Sequence, residues 1–359
     1  MITVIGVLCL FTYPLFAAAA DSLTGSSLFP IGRYAVNAGG NLELISSAVH
    51  FGFRFKSTTC SLYVYLNDPS AHNYLQYTLD GLYQKRLRIN GNSRQPLIIG
   101  GLINGLHTIW IYKATEATTG PVFIQKIIAR DIIALKPSGR PMIEFIGNSI
   151  TCGAASDPSE IPCGSGEYHD QHNAYYAYGP RVARALNVNF MLSSVSGIGI
   201  YRNWNSLSPV MPQVYEKTDF QEDNRYWNFK TYHPRVVSIA LGTNDFSDGD
   251  HVHPRLPFDS VRFVSNYIRF VELVKSKYPE ARIALLSSPM LNGNKRELLQ
   301  RCLKAVKNKV DSSHPSKKPV ALFFFQPMQA RGCGGHPNVE DHEILAKELE
   351  PFFKELLKA

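Results

Sequence analysis

Five short apolar runs organise the second half of the chain, at residues 142–146, 190–193, 236–241, 283–286 and 320–324. Stretches of helical period, approximately 172–186, 259–277, 295–310 and 340–357, separate or follow them. Strand-length segments that are apolar throughout must be covered on both faces, and helices alternating with strands supply that cover. The pattern predicts an α/β fold over residues 139–359: a doubly wound parallel sheet with helices on both faces.

The first half has a different texture. Val49-His50-Phe51-Gly52-Phe53-Arg54-Phe55, Ser61-Leu62-Tyr63-Val64-Tyr65-Leu66 and His107-Thr108-Ile109-Trp110-Ile111-Tyr112 alternate with a period of two. That is the pattern of half-buried strands. Turn signals such as Asn67-Asp68-Pro69-Ser70 and Asn90-Gly91-Asn92 divide them. No helical period intervenes, so residues 21–138 are expected to form an all-β, jelly-roll-like sandwich. The Pro/Gly-bearing segment 136–141 is the junction. A length of 359 residues suits two domains, and 45% hydrophobic with 18% charged residues is ordinary globular composition.

Residues 2–20 are uncharged and apolar and end in small residues. They predict a signal peptide (1–20) cleaved near Ala18–Ala20, with an uncleaved anchor as the alternative, and hence a secreted protein with no later membrane span. The net charge of +8 comes without a dense Lys/Arg run, so no nucleic-acid partner is expected. A monomer is expected. Beyond Cys9, the chain holds Cys60, Cys152, Cys163, Cys302 and Cys333. Cys152 with Cys163 and Cys302 with Cys333 are the pairings considered, leaving Cys60 free. There is no CxxC or Cys/His cluster in the sequence, so no zinc site is expected.

In a doubly wound sheet, ligands bind beyond the carboxyl ends of the strands. Four polar clusters fall at such places. Run 142–146 leads into Gly147-Asn148-Ser149-Ile150-Thr151, run 190–193 into Ser194-Val195-Ser196-Gly197-Ile198-Gly199, and run 236–241 into Gly242-Thr243-Asn244-Asp245. Gly334-Gly335-His336-Pro337-Asn338 precedes the last helix. Acyl transfer needs a nucleophile, a base and oxyanion donors. Ser149 and His336 are the candidate catalytic pair. The Ser149 and Gly197 N–H groups and the Asn244 amide are the candidate oxyanion hole. Taken singly, each residue reads as a cap or turn, Ser149 as a helix N-cap. Asp245 reads as a structural carboxylate bracing the Asn244 loop.

Together these four blocks resemble the SGNH, or GDSL-like, hydrolase superfamily, with GNSIT in place of the usual GDSIT. The resemblance implies the roles just given. An N-terminal β-sandwich before such a domain is similar to carbohydrate esterase family 2. Supporting segments are the stretch from Gly101-Leu102 to Lys113-Ala114-Thr115-Glu116, then Gly197-Ile198-Gly199-Ile200-Tyr201-Arg202-Asn203 and Leu241-Gly242-Thr243-Asn244-Asp245-Phe246. The narrower resemblance implies removal of O-acetyl groups from polysaccharides such as xylan and glucomannan, without metal or cofactor.

Three departures stand out. Position 148 is Asn. Position 333, where an Asp of the histidine block is usual, is Cys, and a thiol cannot support an imidazolium as a carboxylate does. The expectation is therefore a Ser149–His336 dyad oriented by a main-chain carbonyl near residues 332–334, with Glu340 and Asp341 poor substitutes. Gly335 stands where an aromatic often precedes the histidine, so sugar contact is assigned to Trp204, Trp227, Tyr201 and Asn203. The alternatives are a carbohydrate-binding protein with impaired catalysis, or an esterase acting on a lipid or small acetyl ester.

Overall fold

A computed structural model describes residues 20–221 and 225–358. The expected signal segment lies outside the described residues, apart from Ala20.

Ten strands build the first half: β1 (Ala20–Thr24), β2 (Tyr34–Val36), β3 (Leu42–Leu44), β4 (His50–Lys56), β5 (Cys60–Tyr65), β6 (His72–Leu79), β7 (Leu82–Asn90), β8 (Leu97–Ile99), β9 (Leu106–Lys113) and β10 (Val122–Leu135). β10 serves both layers of the sandwich. Residues 122–128 pair with β1, β3 and β5, and Ile132 pairs with Ala20 of β1, whereas residues 133–135 pair with β4. Asp131, at φ 53°, marks the bend between them. The order β10-β4-β9-β6-β7 completes the second layer, and all these pairings are antiparallel. Alternation decides what is buried. Phe51, Phe53 and Phe55 of β4 and Ile109 and Ile111 of β9 point into one core with Ile124 and Ile127 of β10.

The second half is a five-stranded parallel sheet of β11 (Met142–Gly147), β12 (Asn189–Ser194), β13 (Val236–Ala240), β14 (Arg282–Leu286) and β15 (Ala321–Phe323), in the order β12-β11-β13-β14-β15. Its helices are α1 (Ser149–Cys152), α2 (Tyr178–Ala185), α3 (Met211–Val214), α4 (Ser260–Lys277), α5 (Gly293–Ser313) and α6 (Val339–Lys358). Phe263 and Tyr267 of α4 and Leu299 and Leu303 of α5 pack on one face of the sheet, with Val237 and Ile239. Val182 of α2 and Leu345, Leu349 and Phe353 of α6 pack on the other, with Ile143 and Phe145. Every residue of β11 is buried, as a strand covered on both faces must be. The helix expected from residue 172 begins at Tyr178 instead. Pro180 has no N–H to donate and is tolerated only in a first turn, so residues 174–176 form a separate 3₁₀ turn.

The two halves share cores. Ile45 and Ala117 join the cluster around α4 and α5, and Ala48 and Tyr112 join the cluster around α2 and α6. Arg33 is fully buried between the halves and donates to the carbonyls of Tyr215 and Lys217, each at 2.6 Å. It faces Glu144 of β11 at 3.8 Å. Among the described residues no helix is long and apolar enough to cross a membrane.

Candidate active site

Strand order reverses beside β11, and the carboxyl ends of β11, β12 and β13 open there onto one cleft. Gly147 ends β11. A side chain at this position would collide with Thr151 Oγ1, so glycine is what permits so tight a passage into α1. Asn148, not Ser149, is the N-cap, its Oδ1 accepting from Ile150 N at 3.1 Å. The cap reading of Ser149 is therefore corrected by one position. Ser149 is the first helical residue, where a backbone N–H has no intrahelical acceptor.

Ser149 Oγ lies 3.0 Å from His336 Nε2. On the far side of the ring, Nδ1–H donates to the Cys333 carbonyl at 3.2 Å. That bond sets the tautomer, leaving the Nε2 lone pair facing the serine hydroxyl. No carboxylate among the described residues hydrogen-bonds the ring. Asp341 is committed elsewhere, capping α6 at Asn338 N and pairing with Arg331 at 2.6 Å. Burial lowers the His336 pKa, with the Cys333 carbonyl working against that shift. The ring is thus neutral, and able to accept a proton, at neutral pH.

Gly197 sits at φ 75°, and a side chain there would also strike the indole of Trp204. Asn244 Nδ2 donates one hydrogen to Ile198 O at 2.8 Å and keeps a second for the cleft. Asp245 is buried, and its carboxylate accepts from the N–H groups of Ile200, Tyr201 and Arg202 at 2.9–3.3 Å. The structural reading of Asp245 is refined: it braces the glycine loop of β12 against the Asn244 loop of β13. Burial raises its pKa to about 6 against the pull of those N–H groups.

The cleft has a volume of about 870 Å³ and is lined by Ser149, His336, Gly197, Asn244, Trp204 and Tyr168, with Phe246, Met290 and Leu291 on its apolar side. Of the residues assigned to sugar contact, Trp204 lines it and is 41% exposed. Trp227 does not. It is buried against Tyr34 and Tyr232 beside Arg33, so it is a core residue. Tyr201 is corrected likewise: its ring packs on Phe258 and Phe263 and its hydroxyl accepts from Asp259 N. Asn203 borders a neighbouring hollow, but its amide is spent on Gly199 N, Ser206 Oγ and Pro209 O. All three follow the glycine block in sequence, or carry the right chemistry, without facing the cleft.

The cysteine pairings are also corrected. Cys163 is bonded to Cys333, while Cys60, Cys152 and Cys302 are free and buried. Two further residues escaped the sequence. Tyr168 places its hydroxyl 3.3 Å from Ser196 Oγ and 3.4 Å from His336 Nε2. Glu116, from the sandwich half, is buried and accepts from Ser196 N at 2.6 Å, with His172 Nε2 at 3.5 Å. Burial works to raise the Glu116 pKa, but His172 and the Ser196 N–H outweigh it and hold the carboxyl low, so it is ionised. Neither carries a local signal. Glu116 closes the Lys113–Glu116 segment that supports the family resemblance, yet nothing there states its role.

Comparison with known proteins bears on the two halves of the chain. Residues 30–137 match the carbohydrate esterase 2 N-terminal family and residues 145–318 match the GDSL-like lipase/acylhydrolase family. The chain is thus similar to the GDSL-like hydrolases in its second half and, as a whole, most like the family 2 carbohydrate esterases. This hydrolase is 28% identical over 344 residues to an acetylxylan esterase / glucomannan deacetylase of Cellvibrio japonicus, covering 92% of the chain and 91% of that protein. It is 29% identical over 345 residues to the cellulase/esterase CelE of Acetivibrio thermocellus, covering 91% of the chain but only 38% of that larger protein. A solved family two carbohydrate esterase from Clostridium thermocellum, in complex with cellohexaose, superposes with a TM-score of 0.80 at 26% identity, covering 94% of this hydrolase and 99% of that chain.

Proposed function

We propose that this protein is a secreted, monomeric serine esterase that removes O-acetyl groups from polysaccharide of the xylan or glucomannan kind. Its halves divide at residues 21–138 and 139–359. The observation that carries the reading is the 3.0 Å contact between Ser149 Oγ and a His336 ring already held from behind. Ser149 Oγ attacks the acetyl carbonyl carbon as its proton passes to His336 Nε2. The oxyanion is received by the Ser149 and Gly197 N–H groups and the Asn244 amide. Collapse expels the sugar oxygen, which takes the proton from His336. Water then attacks the acyl-serine with the same ring as base, releasing acetate. Trp204 offers an aromatic face for a sugar ring beside the oxyanion loop.

A second reading keeps the chemistry and lengthens the acyl group, because Phe246, Met290 and Leu291 give the cleft an apolar side. The binding-only alternative loses its motive, since the Cys333 carbonyl orients the ring and Trp204 supplies an aromatic. The test is acetate release from acetylated xylan, acetylated glucomannan and a lipid ester, with Ser149→Ala alongside. A loss of about 10³-fold or more is expected in the variant. Equal activity in both proteins would overturn the mechanism, and preference for the lipid ester would replace the substrate.

A further inference from the structure

Away from the cleft, His72, His169 and Asp170 bring one ring nitrogen each and one carboxylate oxygen within 4.8 Å of one another. His72 opens β6 of the sandwich, whereas His169 and Asp170 lie in the 3₁₀ turn Tyr168–Gln171 of the hydrolase half. We propose that this cluster is a site for one zinc-type transition-metal ion, tying the turn that carries Tyr168 to the sandwich. The two imidazoles and the carboxylate are a donor set of the kind such ions take, with a fourth position left for Glu167 or water.

The surroundings are those of ligands rather than of a chance cluster. The two imidazoles are 4.5 Å apart, centre to centre. His169 Nε2–H donates to the His72 carbonyl at 3.1 Å, which puts the lone pair on Nδ1. Glu167 Oε2 is 3.6 Å from that nitrogen. Asp170 Oδ1 accepts from the Tyr74 hydroxyl at 2.9 Å, and Oδ2 accepts from Glu167 N at 2.8 Å. Ligating histidines and carboxylates are oriented by such outer hydrogen bonds. The neighbouring guanidinium groups take other acceptors: Arg86 the carbonyls of Asp170 and His172, and Arg88 the Asn90 side chain and the Tyr74 hydroxyl. His72 Nε2 and Asp170 Oδ1 are hydrogen-bonded at 2.5 Å. Zinc bonds of about 2.0–2.2 Å set tetrahedral donors roughly 3.3 Å apart, so binding opens this pair by about 0.8 Å and draws donors that lie up to 4.8 Å apart together by up to about 1.5 Å. The sequence shows no such cluster because His72 stands 97 residues from His169.

The test is titration of chelator-stripped, tag-free protein with Zn²⁺, read by calorimetry and by the thermal midpoint. One ion per chain is expected, with the midpoint rising as Zn²⁺ rises. His72→Ala and Asp170→Asn should abolish both effects, and His253→Ala, at an exposed surface pair, should change neither. Tyr74→Phe keeps the ligands and removes one outer hydrogen bond, so it should weaken binding by about 10–100-fold. Circular dichroism checks folding independently of esterase activity. No stoichiometric uptake by folded wild type, or undiminished uptake in the ligand variants, overturns the proposal. If the ligand variants do not fold, unchanged affinity in Tyr74→Phe overturns it instead. None of these outcomes bears on whether Ser149 is the nucleophile.

Discussion

Replacing Cys163 with serine tests whether the His336 ring owes its position to a bond far away in sequence. The disulfide joins residues 170 apart and anchors Cys333, whose carbonyl accepts from Nδ1 of His336. In the chain-entropy account, a loop this long is worth about 5 kcal/mol, and removing a native disulfide costs roughly 2–5 kcal/mol in practice. The catalytic effect is separate. A hydrogen bond to a group that becomes charged is worth about 1.5–3 kcal/mol. At about 1.4 kcal/mol per factor of ten, its loss lowers kcat by roughly 10- to 150-fold. KM should change little, because Cys163 does not line the cleft. The assays are a denaturant melt of Cys163→Ser and steady-state acetate release well below its melting temperature. Wild-type kcat in a protein that has lost stability would show that the carbonyl stays in place without the bond, and would refute the coupling.

Three more expectations follow from the same geometry. Because burial holds the His336 pKa below its usual value and the base form is the neutral one, kcat/KM should rise with pH through a midpoint below that of an ordinary histidine and level off by about pH 8; a rate still climbing beyond pH 8 contradicts this. Glu116→Gln replaces the carboxylate under the Ser196 N–H and should lower kcat roughly tenfold, since a charge-assisted hydrogen bond exceeds a neutral one by about 1–2 kcal/mol; an unchanged kcat would confine Glu116 to a packing role. Trp204→Ala should raise KM for the polymer about 2- to 10-fold, from a stacking worth of about 0.5–1.5 kcal/mol, and raise KM for p-nitrophenyl acetate much less; equal effects on both substrates would place Trp204 in support of Gly197 instead.

What could be read in the sequence was what is local. The apolar runs state their own burial, and a glycine-bearing block after three of them marks a strand end, so Ser149, Gly197 and Asn244 stand out from the sequence alone. His336 is legible because Gly334, Gly335 and Pro337 bracket it just ahead of a helix. What could not be read depends on partners distant in the chain. Tyr168 and Glu116 reach the site only through the fold, and the connectivity of five cysteines cannot be deduced from spacing. Trp227 and Tyr201 show the other failure. An aromatic side chain suits a core and a sugar platform equally, and only the position of Arg33 and of α4 decides that these two are core.

The shared cores of the two halves have a practical consequence for anyone who would dissect this protein. Many polysaccharide-active enzymes are treated as beads on a string, whose parts can be cut out and fused elsewhere. Here a cut at residues 136–141 would bare Arg33 and Glu144 to water, open two apolar clusters, and remove Glu116 from beneath the Ser196–Gly197 loop. The sandwich is part of the esterase itself, and a transplant must carry both halves as one piece.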